Sequence, residues 1–160
     1  MRTLESILAA HPFFHGLDPG LMQLIIECAL NVRFRPEHYL FHEGEQATHF
    51  FLIREGRVAL ETTATPQRPV IIETIETGEV LGWSWLFPPY CWHFSARAIE
   101  PVRAIMLDGI CLREKSENDH RVGYELMKRV ASILIQRLQA TRLQLLDIYN
   151  VNGESGGASV

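Results

Sequence analysis

The chain has 160 residues, 47% of them hydrophobic and 21% charged, with a net charge of −4 and a pI near 6.0. That length suits one domain with a real core, and the acidic balance argues against a nucleic-acid surface, which needs clustered Lys and Arg to neutralise phosphates. No run reaches the ~18 uncharged apolar residues of a membrane span, and the start, MRTLESILAA, carries Glu5 where a signal peptide keeps an apolar stretch. A cytoplasmic location without membrane contact is expected.

The first thirty residues read as helical. Leu4, Ile7 and Leu8 form a short apolar stripe. Asp18 is a good N-cap with Pro19 at the first helical position, and Leu21, Leu24, Ile25 and Cys28 follow at helix spacing. Cys28, Cys91 and Cys111 are odd in number, widely spaced and without a CxxC. They support neither a zinc ribbon nor a disulfide framework, and buried or idle thiols in a reducing compartment are expected.

From about 31 to 107 the texture changes to short runs rich in Val, Ile, Phe and Thr: 32–34, 38–42, 48–54, 57–63, 69–75, 93–99 and 102–107. Gly44, Gly56 and Gly78 lie in the intervening turns, where a positive φ costs little only for Gly. So many close strands predict antiparallel sheets closed into a barrel or roll. Within this block GEVLGWSWLFPPYCWH, residues 78–93, holds all three tryptophans, at 83, 85 and 92. They fit three roles: lining a pocket for a flat or apolar ligand, filling that pocket themselves, or belonging to the ordinary core.

After Asp108 the pattern is helical again. A short helix is predicted at about 109–116, and a long one, capped by Asn118 or Asp119, at about 119–149. Residues 150–160, NVNGESGGASV without a periodic apolar pattern, are expected to be a disordered tail. Along the long helix Met127, Ala131, Leu134, Leu138, Thr141, Leu145 and Ile148 alternate at spacings of four and three, the seam of a two-stranded coiled coil. Leu126, Val130 and Ile133 form a second stripe suited to packing on the roll. Two stripes exceed what one docking face needs, so a parallel homodimer is expected.

Three segments carry a resemblance: HPFFHGLD at 11–18, HEGEQATHFFLIREGRVAL at 42–60 and ARAIEPVRAIML at 96–107. In order, and with RLQAT at 137–141, they resemble the cyclic nucleotide-binding domain family, in particular the sensor half of the catabolite-activator type. The resemblance implies an α+β fold: an antiparallel β-roll of the double-stranded β-helix or jelly-roll type, with N-terminal helices and a long C-terminal helix. One sensor domain would span 1–149. It further implies that the segment after Gly82 is a phosphate-binding cassette, with Leu81, Gly82, Trp83, Ser84, Trp85, Trp92, His93 and, on the long helix, Thr141 as ligand-binding residues. The ligand would be a cyclic nucleotide, cAMP or cGMP, or another small flat anion.

The cassette departs from the family pattern. The usual Glu that follows the Gly is Trp83, and the usual Arg about ten residues on is Trp92 or His93. Arg grips phosphate bidentately with a permanent charge; His is only partly charged near neutrality. At roughly 1.5–3 kcal/mol per charge-assisted bond, losing both anchors weakens a cyclic nucleotide by about two to four decades. In the catabolite-activator type a helix-turn-helix follows the long helix. Here a Gly/Ser tail follows, so a stand-alone sensor without direct DNA contact is expected.

The motifs of an enzyme are lacking. His38, His42 and His49 fall near neighbouring strands, but HEGEQATH does not supply the cupin metal pattern, so no metal is expected. No Gly-x-Ser-x-Gly, HExxH or Walker loop occurs.

Overall fold

The computed structural model describes residues 3–62 and 68–156, with side chains up to residue 150. The chain divides into two units, residues 1–124 and 125–160.

The first unit opens with two short helices. Helix α1 spans Leu4–Ala10 and is capped by Thr3, whose hydroxyl accepts from the Ser6 N–H at 3.1 Å. Helix α2 spans Pro19–Ile26, and the Asp18 carboxylate accepts from the N–H groups of Gly20 and Leu21, as its place before Pro19 predicts. Between them Pro12–Phe14 makes one 3-10 turn.

Among the described residues eight strands follow: β1 (Ala29–Phe34), β2 (Tyr39–Phe41), β3 (His49–Glu55), β4 (Val58–Thr62), β5 (Val70–Ile75), β6 (Val80–Leu81), β7 (Ser95–Ala98) and β8 (Val102–Asp108). All ladders are antiparallel and form two four-stranded sheets, ordered β1-β8-β3-β6 and β2-β7-β4-β5. The chain changes sheet repeatedly, which is the topology of a jelly-roll type β-roll. Each predicted run overlaps one strand, with β1 beginning three residues before its run; position 63 of the fourth lies outside the described residues. The two-residue strand β6 was not anticipated, because two residues display no alternation.

At the turn between β3 and β4 Gly56 has φ 90°, and a Cβ there would stand 2.3 Å from the Pro101 carbonyl oxygen. Both the conformation and the close approach exclude any side chain.

Strand β3 organises the core. Phe50 and Phe51 are adjacent and therefore point to opposite faces; they are 0% and 3% exposed. On one face Phe50 meets Phe13 edge-on at 5.2 Å, and Phe13 meets Phe14 at 4.8 Å. On the other face Phe51 contacts Phe34 at 6.1 Å and Phe41 at 5.9 Å. One aromatic cluster thus ties β3 to the N-terminal segment, and the other fills the space between the sheets.

Cys28 and Cys111 are joined by a disulfide with a Cα–Cα distance of 5.6 Å, and only Cys91 is a free thiol. This corrects the expectation of three thiols. The partners are 83 residues apart in sequence, and the β1–β8 ladder, which sets Ala29 opposite Leu107, brings them together.

Helix α3 spans Gly109–Asn118, close to the predicted 109–116. Its first turn is capped by Asp108, which accepts from the Cys111 N–H at 3.0 Å. Asp119 is extended, and its carboxylate accepts from the Arg121 N–H at the start of the long helix.

The long helix α4 spans His120–Gly156, and most of it makes up the second unit. It continues past the expected end near 149 through the first residues of the presumed tail; residues 157–160 lie outside the described ones. Extending an established helix costs far less than nucleating one, so Asn152 and Gly153 do not stop it. Met127, Ala131, Leu134, Leu138, Thr141, Leu145 and Ile148 are all exposed in the single chain. Among the described residues no helix is long and apolar enough to cross a membrane.

Candidate functional site

The segment after β6, where the resemblance puts the cassette, makes a tight turn. Gly82 stands in the left-handed region, with φ 89° and ψ 40°, and caps a 3-10 turn, Trp83–Trp85. The chain then passes through Phe87, a cis Pro88–Pro89 bond and Tyr90 at φ 57° before Trp92. The Arg113 guanidinium lies 4.4 Å from the centre of the Tyr90 ring, a cation–π contact between α3 and the cassette that the sequence did not disclose.

The three tryptophans have different places. Trp85 is fully buried against Phe50 at 6.0 Å, on the face of β3 that holds Phe13. A Cβ on Gly109 would meet the Trp85 Cβ at 2.7 Å, so α3 begins directly against this indole. Trp92 is 5% exposed and stacks on Phe41 at 3.8 Å and 13°, on the other face of β3 with Phe51. Trp83 is half-buried. Of the other expected ligand residues, Leu81 is buried in β6, Gly82 and Ser84 are half-buried and His93 is exposed.

At Gly82 a Cβ would meet Trp92 Cη2 at 3.0 Å and Cζ3 at 3.1 Å. The glycine that the resemblance assigns to close approach of a phosphate is therefore approached by the chain's own indole ring. Thr141, on the second unit, is exposed, and its hydroxyl donates to the Arg137 carbonyl one turn back, at 2.8 Å.

Arg97 does not face an empty site. Its guanidinium makes a two-pronged bond to Glu61, with Nε at 2.7 Å and an Nη at 2.6 Å from Oε1, and reaches Glu37 at 2.8 Å. Glu61 is 2% exposed, and its second oxygen accepts from the Tyr39 hydroxyl at 3.2 Å. The Glu61 bond holds Arg97 firmly protonated, while desolvation and then the charge of Glu61 push the Tyr39 phenol up. Arg103 pairs with Glu55 at 3.6 Å near the surface. Neither arginine supplies the cassette with a charge. Among the described residues no group of three or more His, Cys, Asp or Glu side chains could hold a metal ion.

His11 is the buried titratable group of the N-terminal segment. Its Nδ1 accepts from the Phe13 N–H at 3.2 Å, and its Nε2 lies 3.1 Å from the Ile53 carbonyl oxygen. These partners assign the tautomer: a carbonyl only accepts and an N–H only donates, so Nε2 carries the proton. Burial pushes the His11 pKa down, opposed by the bond to Ile53.

A two-sheet antiparallel roll with N-terminal helices, a long C-terminal helix and a Gly-led turn between β6 and β7 defines an α+β domain of the β-roll class. Within that class the chain belongs to the cyclic nucleotide-binding domain family, whose profile matches residues 31–119. It is similar to a cAMP-activated global transcriptional regulator from Mycobacterium tuberculosis, with 26% identity over 145 residues. The match covers 91% of this chain and 63% of that relative's length. A solved structure of a cyclic nucleotide-binding protein from Geobacter metallireducens is 31% identical, covering 86% of this chain and 99% of that one, with a TM-score of 0.76. A cyclic nucleotide-binding domain from Methylobacillus flagellatus shares the fold at a TM-score of 0.75 and 16% identity, over 90% of this chain and 81% of its own.

Proposed function

We propose that the protein is a cytoplasmic regulatory module, not an enzyme, whose cassette holds cyclic nucleotides poorly and whose long helix carries its output as a parallel homodimer. The observation that carries this reading is the Trp92 ring, stacked on Phe41 and lying 3.0 Å from the position of a Cβ on Gly82. The family's phosphate-pairing Arg falls on Trp92 or His93, and Trp92 is an uncharged ring lying against the glycine. Trp83 takes the place of the ribose-binding Glu, so neither polar anchor is present.

The homodimer is supported by the seam. Met127, Leu134, Leu138, Leu145 and Ile148 are 37–57% exposed in the single chain, at the spacing that a parallel partner covers. A cyclic nucleotide or another flat anion would reach the seam through Thr141, whose hydroxyl proton is already given to Arg137 and whose remaining role is that of acceptor.

The same contact at Gly82 favours a second reading, in which the roll is permanently filled by its own aromatic rings and the domain serves only interaction and dimerisation. Calorimetry with cAMP and cGMP tests the first reading. We expect no dissociation constant below ~1 μM, the affinity equivalent of about 8 kcal/mol, and tighter binding by Trp92→Arg. A sub-micromolar constant for the wild type would overturn it. Trp92→Arg without any gain would favour the permanently filled roll.

A further inference from the structure

Three segments meet at the Cys28–Cys111 disulfide: the end of α2, the start of β1 and the first turn of α3. The joint is held in other ways as well. The Cys28 carbonyl accepts from the Asp108 N–H at 2.9 Å, Asp108 caps α3, and Lys115 pairs with Glu27. Leu112, 0% exposed, anchors the same helix in the core. These contacts would keep the helix in the fold with the bond open, and the covalent link adds its hold at the first turn. The two sulfurs differ in access, for Cys28 is 6% exposed and Cys111 is half-buried. In a reducing compartment such a bond is open to exchange.

We propose that the Cys28–Cys111 disulfide is a reversible thiol switch that sets how firmly the first turn of α3 is held, with a dithiol as its reductant. The compartment is the one named above; the exchange chemistry is independent of any ligand. A thiolate of the dithiol attacks the Cys111 sulfur, the S–S bond breaks, and Cys28 leaves as thiolate and takes a proton. The second thiol of the reductant then attacks the mixed disulfide and expels Cys111. Two electrons pass from the dithiol, which becomes a disulfide, to the protein, which gains two thiols. Asp119 is the one extended residue joining α3 to α4, so α3 is the element through which the switch connects along the chain to the long helix.

The test uses the full chain, oxidised and then equilibrated with graded dithiothreitol. Alkylation with mass spectrometry reads the thiols, and hydrogen exchange reads the backbone. Cys28 and Cys111 should become alkylated while the thermal unfolding transition persists. Exchange across 109–117 should quicken by roughly tenfold or more, as expected for local opening, with little change in β3 and β8. Cys111→Ser should exchange like the reduced wild type whatever the reductant, and Cys91 should be labelled in both states. Reduction of the wild type needs no variant, so a Cys111→Ser chain that fails to fold leaves the test intact. A disulfide that resists the dithiol until the chain unfolds would overturn the switch, and so would a reduced chain whose α3 exchanges as the oxidised one does.

Discussion

The roll and the long helix use the same apolar side chains to opposite effect. In the roll Phe50, Leu52, Ile53, Ile105 and Leu107 are all 0% exposed, so each stabilises the chain that carries it. On the helix Leu138, Leu145, Leu146 and Ile148 are 50–57% exposed. A surface seldom keeps so many large apolar groups on one helix without a partner. The difference teaches where to look for each property: stability in the clusters on either side of β3, and the proposed dimer in the helix seam.

The largest effect should break the roll side of that contrast. Trp85→Ala removes a fully buried indole wedged between Phe50 and the start of α3. It should cost ~3–5 kcal/mol of unfolding free energy, measured by urea denaturation. A loss below ~1 kcal/mol, within reach of an ordinary surface change, would show that the cluster around Phe50 does not hold the fold.

A smaller effect, from one imidazole, sharpens the same side. Burial lowers the His11 pKa in the fold from its usual 6.5. Below about pH 6.5 the unfolded chain binds the proton more readily than the folded one, so this contribution is complete above 6.5 and declines as the pH falls through the folded value. Unfolding curves between pH 7.5 and 5 should show a fall in stability that is shallower in His11→Gln, which does not titrate. Equal slopes for the two proteins would remove His11 from the account.

The smallest effect on the chain itself belongs to the helix. Leu138→Ala trims a side chain that is 51% exposed and should change the stability of the monomer by less than ~0.5 kcal/mol. In a dimer the same change is made on both chains and should move sedimentation toward monomer. A wild type that stays monomeric at high concentration would erase the contrast.

The legible parts of this fold are those fixed by local chemistry. Asp18 before Pro19 marks a helix start, and the Val, Ile and Phe runs mark the strands of a roll. The rest depends on contacts distant in sequence. The disulfide joins residues 83 apart and follows from the register of β1 on β8, which no cysteine spacing reveals. The same holds for the site. The cluster of tryptophans in Gly78–His93 is visible in the sequence, but that Trp85 and Trp92 lie on opposite faces follows from Phe50 and Phe51. The Glu61–Arg97 bond likewise requires β4 and β7 to be neighbours.

Strand β3 also limits how this gene can change in length. Its two central phenylalanines serve different clusters, so one codon gained or lost before Phe50 would turn each ring to the wrong side. Both aromatic clusters would lose their centre at once. Length variation among relatives should therefore spare residues 49–55.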